Sequence, residues 1–148
     1  MRFQISTTVP GNYLDVMGQF DRRLFEYLAP PSSVAEIVAF TGSQTGDRVH
    51  LRFRRPWTAE WVSEITEHGQ DGNSAWFVDE GTVLPFGLRF WRHRHVVERV
   101  DEDVSRIVDD IAFKFRFSLI TVLAFPLVYL AFLPRRRLYK TYFTKGSV

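Results

Sequence analysis

Residues 89–95 read RFWRHRH, which on an extended strand sets Trp91, His93 and His95 at every second position with arginines between them. Imidazoles so placed can ligate a metal, exchange protons, or form the polar end of a cavity. Carboxylates for each task stand close in sequence, Asp79 and Glu80 within FVDEG and Asp109 and Asp110 within IVDDIAF. Alternate strand residues share a face, so Trp91, His93, His95 and Val97 point together and Arg92, Arg94 and Glu98 point oppositely. The arginines require water, which turns the histidines inward. The same parity places Ile107, Asp109, Ile111 and Phe113 on one face of the following strand, although a shift of register would exchange Asp109 for Asp110.

A carboxylate on an antiparallel neighbour can accept from an imidazole and hold one tautomer, as in general bases and in purely structural histidines alike. One reading makes Trp61, Asp79, His93, His95 and Asp109 a buried hydrogen-bonded cluster that fixes the sheet. Another, compatible with it, makes them the polar end of an apolar cavity whose body is held by Val49, Leu51, Phe53 and the C-terminal helix. In a catalytic version His93, His95 and Asp109 are the candidate acid/base groups. Binding is the reading preferred over catalysis.

A metal site is not expected. His-x-His with Asp109 has a usable ligand spacing, but His50 shares the outward parity of Arg48, Arg52 and Arg54, His68 is expected in a turn, and Arg92 and Arg94 add positive charge. Cysteine is absent, which excludes disulfides and thiolate chemistry. No glycine-rich phosphate loop, nucleophile elbow or triad context occurs, so no cofactor is expected. The formal net charge is only +2, and Glu60 and Glu64 match the outward arginines, so no nucleic-acid partner is expected. The first residues lack the apolar core of a secretory signal, and a cytoplasmic location is expected.

The elements that must position these residues follow from periodicity. Residues 1–9 read as a strand, and Tyr13, Met17, Phe20, Leu24 and Leu28 recur at helical spacing until Pro30-Pro31, consistent with two short helices. Strands are expected over 34–40, 47–53, 58–67, 75–80, 88–100 and 105–115, separated by turn-forming stretches. Residues 117–133 are almost wholly apolar and are expected as one long helix laid across a curved sheet, with Arg135 to Arg137 capping its end. A membrane-associated helix is the rival reading. The order of elements argues for a single α+β domain over residues 1–148, and specifies no oligomeric state.

Taken in order, Pro30-Pro31, Trp61 with Ile65-Thr66-Glu67, Phe77-Val78-Asp79-Glu80, Pro85-Phe86, Trp91-x-His93-x-His95 and Asp109-x-Ile111-x-Phe113 resemble the START-like or SRPBCC superfamily. This is the helix-grip fold shared with birch-pollen-type allergens and polyketide cyclases, and the cyclase/dehydrase-like bacterial branch is the most similar. The resemblance implies a seven-stranded antiparallel sheet wrapped around a long C-terminal helix, with two short N-terminal helices. It also implies an apolar cavity for a hydrophobic small molecule of lipid, polyketide or sterol type, lined by the residues named above with Trp91, Ile111 and Phe113. Leu88-Arg89-Phe90 lengthens the segment after Phe86, and the last helix is unusually apolar, which keeps peripheral membrane contact among the expected partners.

Overall fold

Side chains alternate strictly along β1 (Arg2–Pro10), with Phe3, Ile5, Thr7 and Val9 buried and their neighbours exposed, so the sheet is covered on one face only. The computed structural model describes residues 1–146. After β1 come α1 (Tyr13–Gly18), α2 (Arg22–Leu28), β2 (Ala35–Phe40), β3 (Arg48–Phe53), β4 (Ala59–Gln70), β5 (Ser74–Val83), β6 (Leu88–Asp101), β7 (Val104–Phe115), α3 (Ser118–Phe132) and α4 (Arg135–Lys145). The strands form one antiparallel sheet in the order β1-β7-β6-β5-β4-β3-β2. This is the expected α+β, helix-grip arrangement.

Two side-chain caps start the short helices, where backbone N–H groups lack helical partners. Asn12 accepts from the Leu14 amide at 2.9 Å, and Asp21 accepts from the Leu24 amide at 3.1 Å. Between Pro85 and β6, Phe86 and Gly87 take positive φ values of 58° and 80°. The left-handed turn suits glycine but strains Phe86, whose ring packs on Phe53 and Trp57. The extra residues Leu88-Arg89-Phe90 are absorbed by a register shift at the start of β6.

The C-terminal segment differs from expectation in two ways. The expected helix is α3, but a second helix, α4, follows it across a turn at 133–134, where Pro134 has no amide to donate. Nor is α3 buried all round. Phe125, Val128, Tyr129 and Phe132 pack on the sheet, while Leu119, Leu123 and Leu127 on the other face are 70%, 67% and 72% exposed. His68, expected in a turn, lies inside β4, which runs further than its apolar pattern, and accepts from the Thr45 amide.

The outward arginines are paired as charge matching implied: Arg48 with Glu64, Arg52 with Glu60, and Arg54 with Glu36. His50 joins the same network at 2.5 Å from Glu60. Such exposed pairs add little stability. The interior carries the weight, and Phe113, which is 1% exposed among Phe3, Phe115 and Phe125, is its test. Phe113→Ala is expected to cost about 3–5 kcal/mol in urea unfolding, whereas Arg48→Ala is expected to leave the midpoint nearly unchanged.

Candidate functional site

Cross-strand register brings the expected polar residues together. Asp79 on β5 stands opposite His93 on β6, and His95 stands opposite Asp109 on β7. Strand parity then points all four into the concave face. Asp109 is the inward carboxylate, and Asp110 turns outward to a paired Arg2 and to Gln4 at 3.2 Å.

Asp109 is the hub. His93 Nε2 lies 2.8 Å from Asp109 Oδ1, and the Tyr139 hydroxyl donates to the same oxygen at 3.3 Å. Arg135 approaches it to 3.7 Å while its guanidinium lies over the Phe132 ring. His95 Nδ1 is 3.3 Å from that oxygen, within ion-pair reach, but makes no hydrogen bond. Its ring stacks on Phe77 at 4.3 Å and lies 3.7 Å from the ring of His93. Asp79 Oδ1 is likewise buried without a partner.

Burial, then the neighbouring His95, pushes the His93 imidazole down to about 3, so the ring is neutral near pH 7. Its Nε2–H then donates to Asp109. Burial alone would raise the Asp109 pKa, but the His93 hydrogen bond, nearby His95 and the Arg135 charge hold it far below the carboxylate range. Asp79 has less compensation, and burial leaves its pKa raised. Burial likewise raises the Tyr139 phenol and keeps it protonated as a donor.

Asp79, Val49, His93 and His95 line one cavity of about 60 Å³, with walls from Phe20, Leu24, Phe25, Leu28, Phe40, Ile65 and Phe77 and with Arg135 at its polar end. The other expected lining residues lie elsewhere. Trp61 meets Trp91 edge-on at 4.8 Å, and both pack with Ile111 and Phe113 beneath α3. Phe53 joins the aromatic group around Phe86, Leu51 stands half-buried opposite Trp61, and Asp109 lies under the histidines. Ligand atoms of Asp79, His93 and His95 all fall within 4.8 Å of one another, a spacing a metal would accept, with Asp79 rather than Asp109 as the carboxylate. Arg135 on the same wall opposes a second cation.

Arg135 and Tyr139 were not among the expected site residues. Arg135 is an inward group at the start of α4, where a capping role was expected. The signal was present: Val128, Phe132, Arg135, Tyr139 and Phe143 continue one helical stripe at spacings of four, three, four and four. Stopping the helix at Pro134 hid it.

No protein-family model and no curated protein matches the chain. Solved structures do. A norcoclaurine synthase of Thalictrum flavum, in complex with a transition-state analogue, aligns with a TM-score of 0.66 at 11% identity, covering 100% of this chain and 96% of that one. Protein Ms6760 from Mycobacterium smegmatis aligns at 0.65 and 17% identity, covering 98% and 92%. Ara h 8.0201 aligns at 0.58 and 14% identity, covering 98% of both chains. These likenesses establish the helix-grip fold for this chain.

The depressed imidazole carries a pH signature. Below about pH 6.5 the unfolded His93 takes up a proton that the folded ring refuses until about pH 3. Stability is therefore lost as pH falls through that window, by up to about 1.4 kcal/mol per pH unit from this group. Asp79, with its raised pKa, works in the opposite sense, and does so equally in a His93→Gln variant. Urea unfolding from about pH 7 to about pH 4.5 is expected to give a steeper loss for the wild type than for His93→Gln. Equal slopes would show that His93 is not held neutral.

Proposed function

We propose that the protein binds a small apolar or amphipathic molecule, of the lipid, polyketide or sterol-like class, between the sheet, α2 and α4. The observation that carries this reading is the pair of unpartnered buried polar atoms, Asp79 Oδ1 and His95 Nδ1, at one end of a cavity walled by aromatic and aliphatic side chains. Buried polar atoms without partners are costly, and a ligand hydroxyl or carbonyl could satisfy them where no side chain does. Arg135 adds a fixed cation that favours an electron-rich head group. At about 60 Å³ the cavity admits no more than a small polar head, so a ring or a longer body requires α2 or α4 to move outward. A cytoplasmic location belongs to the same proposal.

A cyclase or dehydratase reaction is the second reading, favoured by the His93–Asp109 pair and by the fold's occurrence in a synthase. With His93 neutral and committed to Asp109, proton transfer would fall to His95 and Asp79. In this reading Asp109 is a positioning residue.

Native mass spectrometry of protein purified without detergent is expected to show a stoichiometric organic adduct, identifiable after solvent extraction. Asp79→Leu separates binding from architecture. It is expected to raise stability by about 1–3 kcal/mol, because a buried carboxyl oxygen without a partner is removed, and to abolish the adduct. A destabilised variant that keeps its adduct, or a wild type with none and no thermal shift across an apolar panel, would refute the proposal.

A further inference from the structure

On a helix that packs across a sheet, the outward face normally carries polar residues. Here it does not. Opposite the Phe125, Val128 and Phe132 face, α3 presents Leu119, Leu123, Leu127 and Leu130 to the outside, with exposures of 70%, 67%, 72% and 59%. Apolar patches of this kind mark an interaction site.

Charge around the patch selects the partner. Residues 111–148 contain seven basic residues and no acidic one. Arg116 is exposed just before α3, and Arg136, Arg137 and Lys140 are exposed just after it. A second copy docked antiparallel on the same face would bring Arg116 of one chain against Arg136 and Arg137 of the other, with no carboxylate in the segment to offset them. A parallel pairing sets like ends together and is no better. Anionic lipid headgroups above an acyl layer satisfy both features at once.

We infer that α3 lies flat in the interface of an anionic bilayer, its leucine face among the acyl chains and its flanking arginines at the headgroups. The helix does not cross. Its apolar 15 residues span roughly 22 Å against roughly 30 Å of hydrocarbon, the helical run on to Lys145 would draw Arg135, Arg136 and Arg137 into any span, and its inner face is held on the sheet. The inference stands apart from the cavity reading, since none of these residues lines the cavity.

Flotation of the full chain with vesicles tests it. Phosphatidylcholine vesicles containing phosphatidylglycerol are expected to carry the protein upward, salt-sensitively, and phosphatidylcholine alone to carry at least about tenfold less. Leu123→Glu with Leu127→Glu, and separately Arg136→Glu with Arg137→Glu, are each expected to lower partition by about tenfold or more, with unchanged circular dichroism. Three results would overturn the inference: no flotation of the wild type, equal partition into both vesicles, or a dimer in sedimentation velocity that the leucine variants dissolve without any vesicle binding. If a leucine variant failed to fold, the surface arginine pair would decide alone.

Discussion

The molecule is organised around one carboxylate. Asp109 is 1% exposed and receives His93 from the neighbouring strand, Tyr139 from α4 and the approach of Arg135 at the head of α4. A buried charge is tolerated only when it is paired and hydrogen-bonded, so the carboxylate dictates where β6, β7 and α4 must sit relative to one another. Removing any partner leaves the others uncompensated. Pairing of this kind adds little net stability over an apolar core, but it selects one seating of α4 on the sheet.

The consequence is a polar belt across the concave face. Along β6 the inward side chains run Trp91, His93, His95, Val97, and along β7 they run Phe113, Ile111, Asp109, Ile107. Each strand thus passes from one apolar cluster, beneath α3, to a second, beneath α1, α2 and α4, through a polar layer. The helical break at 133–134 falls over this layer and is where Arg135 enters. Asp79 and His95 belong to this layer and line the cavity. Sheet and helix break therefore place the cavity's polar end together, and neither would do so alone.

Much of this was legible from residue order. Period-two alternation assigned the inward set on β6 without any structure, because a slip by one residue would have buried Arg92 and Arg94. The choice of Asp109 over Asp110 was not, since it turns on the register against β1, where Arg2 and Gln4 claim Asp110. The cavity's limits were likewise hidden. Trp61 and Trp91 share the inward face with the histidines, but their mutual packing closes that end, and edge-to-face contact between rings has no sequence signature. Pro134 does interrupt the hydrogen bonding of the helix, but Leu133 and Pro134 keep helical dihedrals and the stripe resumes on the same side beyond them, so the helical path continues.

The net charge of +2 conceals a segregation that composition could not reveal. All 17 acidic residues precede position 111, where they meet 12 basic ones, and residues 111–148 hold the other seven basic residues. Most of the acidic side chains lie on the convex strand face, in pairs such as Arg52–Glu60 and Arg92–Glu80, or in turns. The excess positive charge belongs to the end of β7 and to α4, on either side of the uncharged α3, and the two helices close the opposite side of the sheet. A molecule polarised in this way has a preferred orientation toward any anionic surface, set by the whole distribution rather than by one contact. On the proposed bilayer that orientation lays α3 down first. Because α4 follows it through a two-residue turn and carries Arg135 into the cavity wall, a displacement of α3 toward lipid would act directly on the element that closes the cavity.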